Sequence, residues 1–156
     1  MKIEIGTKAP EFSLYSSDKR KVSLSDFRGK NVLLLFFPLA FTGTCTKELC
    51  SVRDNISLYN NANAEVLGIS VDSLYTLAKY KEDQRLNFTL LSDFNKEVSE
   101  MYDSLYPVFG FEMKGVGKRS AFVIDKEGMI RYVEVLENAS EIPDFAAIEK
   151  ALAQCN

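Results

Sequence analysis

The sequence predicts an α/β sandwich built on a mixed central sheet. Residues 31–37 form an almost uninterrupted apolar run, which is typical of a strand buried on both faces of a mainly parallel sheet. A stripe with helical spacing follows this run directly, and strand patterns then alternate with helical ones. A hairpin pattern and a last helical pattern complete the order expected of this fold class.

The composition indicates one folded domain over residues 1–156. Hydrophobic residues make up 46% of the chain and charged residues 26%, close to globular averages. The formal net charge is −3, which gives no electrostatic reason to expect a nucleic-acid partner.

The first elements predict an N-terminal β-hairpin. Its strands are expected at residues 12–15 and 21–24, on either side of the polar stretch 16–20. A turn at residues 26–30 then leads into the buried strand 31–37.

A helix is predicted over residues 45–60. Its apolar stripe is spaced four, three, four and three residues apart and consists of Cys45, Leu49, Val52, Ile56 and Tyr59. The remaining elements are a strand at 65–71, a helix at 74–84, a strand at 88–91, a helix at 96–102, a hairpin of strands 120–124 and 129–135, and a helix at 144–155. This order is that of a thioredoxin-like α/β sandwich.

Residues 104–118 match neither a strand period nor a helix period. The segment carries Tyr106, Phe109, Phe111 and Met113 among glycines and a proline. A loop of this length and aromatic content either packs on itself or forms a binding surface, such as a contact between two copies of the chain. We expect its aromatic side chains to pack rather than to contact a substrate.

Cys45 is the principal candidate for chemistry. It ends the turn of residues 38–45, where a helix begins and unpaired backbone N–H groups favour an anion such as a thiolate. The chain contains no histidine, the usual base beside a catalytic serine or cysteine. Activation of Cys45 must therefore come from the backbone, an arginine or a hydroxyl.

Cysteine and histidine usage argues against a metal site. With three cysteines, no Cys-x-x-Cys pair and no histidine, we expect no structural zinc, no other metal and no cofactor.

Residues 1–5 carry charges where a signal peptide needs an apolar core, and the apolar run 32–41 is interrupted by Pro38 and too short to span a bilayer. We therefore expect a cytoplasmic protein without a membrane partner.

Four segments in order resemble the peroxiredoxin family. The signature Pro-x-x-x-Thr-x-x-Cys of that family is matched by Pro38, Thr42 and Cys45. The other similar segments are Gly-Thr-Lys-Ala-Pro-Glu-Phe at 6–12, Leu-Ser-Asp-Phe-Arg-Gly-Lys at 24–30 and Arg-Ser-Ala-Phe-Val-Ile-Asp at 119–125. Residues 36–43 resemble the alkyl hydroperoxide reductase E subgroup, whereas Cys50 resembles the resolving cysteine of the bacterioferritin-comigratory subgroup.

The resemblance implies a thiol-dependent peroxidase. Cys45, as the thiolate, attacks the O–O bond of hydrogen peroxide or an organic hydroperoxide and becomes a sulfenic acid. Thr42 offers its hydroxyl to the sulfur or the peroxide, unless it serves only as the N-cap of the helix. Arg119 stabilises the thiolate and the leaving oxygen, and Pro38 fixes the backbone and shields the sulfur from water.

Two further residues are expected to support this site. Glu48 lies one turn after Cys45, where it either orients Arg119 as a charge partner or sits on the helix surface. Backbone N–H groups near Thr44 and Cys45 would complete a cradle for the peroxide.

Resolution of the sulfenic acid is the open step. Cys50 lies five residues after Cys45, a rotation of about 500° on a helix, so it points roughly 140° away. The two Cα atoms would then lie beyond ~7 Å, so a Cys45–Cys50 disulfide requires the first helical turns to unwind. The alternatives are that Cys50 is a small core residue or that Cys155 resolves from a partner subunit.

The resemblance also implies the partners, namely a peroxide substrate and a thioredoxin-like or other thiol reductant, in a monomer or a homodimer.

Two other functions compete with that of a two-cysteine peroxidase. One is a thioredoxin-like thiol–disulfide oxidoreductase, which the absence of a Cys-x-x-Cys spacing disfavours. The other is a one-cysteine peroxidase or redox sensor in which Cys50 takes no part.

Overall fold

The computed structural model describes residues 3–156, so Met1 and Lys2 of the charged N-terminal stretch lie outside the described residues. Nine strands are present in that range: β1 (Ser13–Ser16), β2 (Lys21–Ser23), β3 (Asn31–Phe36), β4 (Ala64–Ser70), β5 (Thr89–Ser92), β6 (Leu105–Val108), β7 (Lys114–Gly117), β8 (Ser120–Ile124) and β9 (Ile130–Val135). Seven of them form one sheet in the order β2-β1-β5-β4-β3-β8-β9, and β6 pairs with β7 separately.

The large sheet is mixed. Strand β3 pairs with β4 in parallel and with β8 in antiparallel orientation, and β4 pairs with β5 in parallel. Strands β1 and β2 form the N-terminal hairpin and join the sheet through β5. All six residues of β3 are buried, which explains its almost continuous apolar sequence.

Helices cover both faces of this sheet. They are α1 (Gly43–Asp54), α2 (Ile56–Asn61), α3 (Leu74–Gln84), α4 (Glu97–Met101) and α5 (Phe145–Gln154). Leu33 and Leu35 of β3 face the core built with α1, α3 and α5, whereas Leu34 and Phe36 face the core that contains Tyr102. This alternation follows from the two-residue period of a strand.

The predicted thioredoxin-like α/β sandwich, with its mixed sheet and N-terminal β-hairpin, is confirmed. The single helix predicted over residues 45–60 is wrong, because it breaks at Asn55 into α1 and α2. Asn55 has φ −118° and ψ 23°, and its Nδ2 donates to the Ser51 carbonyl at 2.8 Å. The side chain thereby binds a carbonyl in the last turn of α1, where the helix has no further N–H to offer.

The irregular loop predicted over residues 104–118 is also wrong. This segment folds back on itself as the antiparallel pair β6–β7. Between the strands, Phe111 and Glu112 adopt left-handed φ values of 59° and 63°. Such values are uncommon for residues other than glycine and interrupt the two-residue alternation that marks a strand.

The helices and the acidic, cysteine and histidine side chains of residues 3–156 bear on membrane and metal binding. Every helix there is too short or too polar to cross a bilayer. The same range contains no group of three or more His, Cys, Asp or Glu residues placed to hold a metal ion.

Candidate active site

Cys45 is the third residue of α1, and its side chain is buried, with 1% exposed. The first helical hydrogen bond runs from the Thr46 N–H to the Thr42 carbonyl at 3.0 Å. The N–H groups of Gly43, Thr44 and Cys45 precede that bond and are available to an anion at the helix start. The cysteine therefore lies where the sequence predicted it.

The segment that joins β3 to α1 is held in place by Asp72. The Oδ2 atom of Asp72 accepts from the Ala40 N–H at 2.8 Å and from the Ser70 hydroxyl at 2.7 Å. Pro38 is buried within this segment. Asp72 follows β4, the parallel neighbour of β3, so the carboxyl ends of both strands meet at the site. No local sequence motif marks Asp72, so it was not among the predicted site residues.

Thr42 occupies the N-cap position of α1 with an extended backbone, φ −102° and ψ 153°. Its hydroxyl donates to the Leu39 carbonyl at 2.8 Å and makes no side-chain cap to a helix N–H. The alternative that Thr42 serves only as a side-chain N-cap is therefore wrong. The hydroxyl oxygen can still accept a hydrogen bond from a second donor.

Arg119 reaches Cys45 because β8 pairs with β3. It directly precedes β8, whose first residue pairs with the last residue of β3. The Arg119 side chain is buried and donates from all three nitrogens. Nη2 lies 3.3 Å from Cys45 Sγ, Nη1 lies 2.6 Å from Glu48 Oε1, and Nε lies 3.0 Å from the Ala139 carbonyl.

Glu48 is fully buried, which rules out the helix surface that the sequence left open. Burial raises the pKa of Glu48 to about 7, although the charge and hydrogen bond of Arg119 act in the opposite direction. Its Oε2 has no hydrogen-bond partner among residues 3–156. Burial also opposes the charge of Arg119, but Cys45 and Glu48 outweigh it and raise the pKa of Arg119. The Arg119 guanidinium thus stays charged, with the Cys45 thiol at one nitrogen and the Glu48 carboxyl group at another.

A cavity of about 250 Å³ opens beside these groups. It is lined by Pro38, Thr42, Gly43, Thr44, Phe109, Arg119, Ala139 and Ser140. Phe109 contributes an aromatic wall and packs against Tyr106 with ring centroids 5.5 Å apart. The expectation that the aromatic residues of 104–118 pack is therefore confirmed for Tyr106 and Phe109, whose rings pack together. It is wrong for Phe111, whose side chain is 99% exposed.

Comparisons with known proteins identify the family. The AhpC/TSA family matches residues 5–133. The chain is 40% identical over 137 residues to peroxiredoxin Bcp of Escherichia coli, and the matched region covers 84% of this chain and 85% of the relative. The chain belongs to the peroxiredoxin family. Peroxiredoxin Bcp of Bacillus subtilis is 39% identical over 147 residues, covering 90% of this chain and 93% of that one.

A solved structure agrees with this membership. The crystal structure of peroxidoxin BcpB from Mycobacterium tuberculosis superposes with a TM-score of 0.83 at 29% identity, over 98% of this peroxiredoxin and 96% of that chain. The relatives place the chain in the bacterioferritin-comigratory subgroup. The predicted enzyme class, a thiol-dependent peroxidase, is confirmed by these likenesses.

The other two cysteines of this peroxiredoxin are free and half-buried. Cys50 lies in the same unbroken helix as Cys45, and its thiol donates to Gln84 Oε1 of α3 at 3.6 Å. The Cys155 thiol donates to the Ala151 carbonyl at 3.2 Å, and burial raises its pKa. A disulfide between Cys45 and Cys50 therefore requires α1 to open, as its helical spacing predicts.

Proposed function

We propose that Cys45 is the peroxidatic nucleophile of this enzyme and that Cys50 resolves its sulfenic acid. The observation that carries the first part is the 3.3 Å hydrogen bond from Arg119 Nη2 to Cys45 Sγ. The thiolate is the form of cysteine that attacks peroxides, and a charged donor beside the sulfur at a helix start is placed to stabilise the negative charge of that reaction.

In the first step, the Cys45 thiolate attacks one oxygen of the peroxide. An S–O bond forms as the O–O bond breaks, so the sulfur is oxidised to a sulfenic acid and the peroxide is reduced. The leaving oxygen takes up a proton and departs as water or an alcohol. Hydrogen peroxide and organic hydroperoxides both satisfy this scheme, and we propose both as substrates.

Ionisation of the thiol supplies only part of the rate. An ordinary thiol is a few per cent ionised at neutral pH, so full ionisation gains at most ~30-fold, or ~2 kcal/mol. The rest must come from alignment of the peroxide and stabilisation of the leaving oxygen. We assign that stabilisation to Arg119 and to the N–H groups near Thr44 and Cys45. Thr42 accepts from the peroxide, and Pro38 excludes water.

Glu48 has a supporting role in this scheme. Its 2.6 Å contact with Arg119 Nη1 fixes one edge of the guanidinium while Nη2 points to the sulfur. The bond from Nε to the Ala139 carbonyl fixes the third nitrogen. An arginine held at three atoms needs little reorganisation as charge develops on the leaving oxygen.

In the second step, the Cys50 thiolate attacks the sulfenic sulfur of Cys45. The S–S bond forms, and the sulfenic oxygen leaves with a proton as water. A thioredoxin-like or other dithiol reductant then returns both thiols by disulfide exchange. A cytoplasmic location and a monomeric or homodimeric state stay predictions.

Peptide mass spectrometry after one equivalent of peroxide tests both assignments. Trypsin cleaves after Lys47, between the two cysteines, so a Cys45–Cys50 disulfide joins two separate peptides. We expect that linked pair in the wild type and in the matched control Cys155→Ser. We expect a sulfenic acid on Cys45, trapped by a dimedone probe, in Cys50→Ser.

Three outcomes contradict the proposal in different places. A sulfenic acid that persists equally in the wild type and in Cys50→Ser would replace it with a one-cysteine mechanism. A disulfide from Cys45 to Cys155 between two chains would assign resolution to a partner subunit. Peroxide consumption by Cys45→Ser at the wild-type rate would remove Cys45 as the nucleophile.

A further inference from the structure

One face of α3 contacts the stretch of α1 that contains both cysteines. Tyr80 and Gln84 lie four residues apart on α3 and therefore on the same side of that helix. The Tyr80 hydroxyl is hydrogen-bonded to the Thr46 hydroxyl at 2.9 Å, one residue after Cys45. The Cys50 thiol donates to Gln84 Oε1 at 3.6 Å. Helix α3 thus contacts α1 at both ends of this stretch.

Tyr80 also contacts the segment that precedes α1. Its ring is fully buried and lies 5.0 Å from the ring of Phe41, between centroids. Phe41 adopts a left-handed φ of 66°, a conformation that a bulky residue holds only when its surroundings impose it. Burial raises the pKa of Tyr80 to about 12, so its hydroxyl stays a neutral hydrogen-bonding group at physiological pH.

Gln84 makes a second contact through its main chain. Its carbonyl accepts from Arg53 Nη1 at 2.5 Å, and Arg53 lies in the last turn of α1. A charge-assisted bond at that point holds the far end of α1 against α3 while the near end is held by Tyr80. We call Tyr80 and Gln84 together the α3 clamp.

We propose that the α3 clamp sets the rate at which the first turns of α1 open after Cys45 is oxidised. This inference rests on the proposed function, since opening matters for catalysis only if Cys50 is the resolving cysteine. Tyr80 and Gln84 are then positioning residues. Their contacts exist in the closed helix and must break before the two sulfur atoms can meet.

The clamp has a second consequence for the oxidised enzyme. While α1 stays closed, the sulfenic acid on Cys45 remains unresolved and exposed to a second peroxide, which would convert it to the sulfinic acid. A weaker clamp should therefore shorten that interval and protect Cys45 from overoxidation. The attack on the first peroxide takes place in the closed helix and should not change.

The test uses Tyr80→Phe, which removes the hydroxyl and keeps the ring against Phe41. The Thr46 hydroxyl that loses its partner can bond back to the Thr42 carbonyl, so no buried donor is stranded. Quenched-flow mass spectrometry should show Cys45–Cys50 disulfide formation accelerated by about 2- to 10-fold, the range expected for the loss of one neutral hydrogen bond. The second-order rate constant for peroxide should stay at the wild-type value.

Tyr102→Phe is the matched control. The Tyr102 hydroxyl donates to the Pro10 carbonyl at 2.6 Å, and its ring lies in the core on the other face of the sheet. This variant loses a comparable hydrogen bond without touching α1, so both rates should be unchanged. The peroxide concentration that yields sulfinic acid should rise in Tyr80→Phe and not in the control.

Two results overturn parts of the scheme separately. If the wild type forms the Cys45–Cys50 disulfide but Tyr80→Phe forms it at the same rate, the clamp is refuted and the proposed function stands. If the wild type forms no such disulfide, the proposed resolving step is refuted. Amide hydrogen exchange of residues 43–50 in the reduced protein then tests, without any disulfide, whether the α3 clamp holds the start of α1 closed. Faster exchange in Tyr80→Phe than in Tyr102→Phe supports it, and equal exchange refutes it.

Discussion

Replacing Glu48 with glutamine isolates the cost of burying a carboxyl group beside Arg119. In Glu48→Gln, the side-chain carbonyl can still accept from Arg119 Nη1, which lies 2.6 Å from Glu48 Oε1. The amide nitrogen takes the place of Oε2, which has no hydrogen-bond partner among residues 3–156. The variant therefore incurs a cost of ~1–3 kcal/mol for an unpaired buried N–H₂, and that cost is the same at every pH.

The pH dependence comes from the proton that Glu48 holds in the folded chain. Burial raises the pKa of Glu48 from its ordinary value of 4.5 to about 7. Between these values the folded chain keeps a proton that the unfolded chain has released, so rising pH lowers the free energy of unfolding. The total loss is ~3 kcal/mol, and it is complete above the folded pKa. Glu48→Gln cannot ionise and lacks this loss.

Urea unfolding measures the difference between the two proteins from below pH 4.5 to above pH 7. Both proteins carry Cys45→Ser, so that no sulfur lies beside Arg119 in either of them. The stability of Glu48→Gln relative to its parent should improve by ~3 kcal/mol across that range. Glu82→Gln, which changes an exposed carboxyl, is the control for the altered charge. A difference between Glu48→Gln and its parent that is constant with pH would refute the reasoning.

Two further predictions follow from the contacts. Arg119→Ala should lower the second-order rate constant for peroxide by ~10²- to 10³-fold, because it removes a donor to the leaving oxygen. Arg131 lies outside the cavity, so Arg131→Ala should leave that rate constant unchanged. Equal rate constants for the two variants would exclude Arg119 from the site. Gly68→Ala should lower the free energy of unfolding by ~1–3 kcal/mol, because its Cβ would lie 2.8 Å from Leu90 Cδ2. A Cβ added at Gly110 has no neighbouring atom within 4 Å, so Gly110→Ala should leave the free energy of unfolding unchanged. Equal stability of the two variants would contradict this prediction.

The fold was predictable where one period runs without interruption. Residues 31–37 and 74–84 gave a buried strand and a helix within one residue of the observed bounds. The pair β6–β7 was not predictable, because the chain bends through left-handed φ values at Phe111 and Glu112, two residue types that rarely adopt them. Asn55 breaks a helix whose apolar stripe continues past it, so the stripe alone predicted one helix.

The site was predictable in its residue types and not in its contacts. Cys45, Thr42 and Arg119 follow from the resemblance, but the contact of Arg119 with the sulfur depends on β8 pairing with β3, which no local pattern encodes. Glu48 lies three residues after Cys45, on the buried side of α1, yet its contact with Arg119 depends on the same pairing of β8 with β3. Tyr80 lies on a helix that the sequence predicted without any sign that it meets α1.

The closed start of α1 has opposite effects on the two proposed half-reactions. In the proposed mechanism, attack on peroxide needs the helix intact, since the N–H groups of its first turn and the Arg119 side chain lie beside the Cys45 sulfur. Formation of a Cys45–Cys50 disulfide needs the same turns unwound. If Cys50 resolves, a substitution that strengthens the α1 backbone should slow resolution without gain in attack. A contact from α3, such as that of Tyr80, can be weakened while the geometry around the sulfur stays as it is. The balance between the two steps can therefore change through α3 alone.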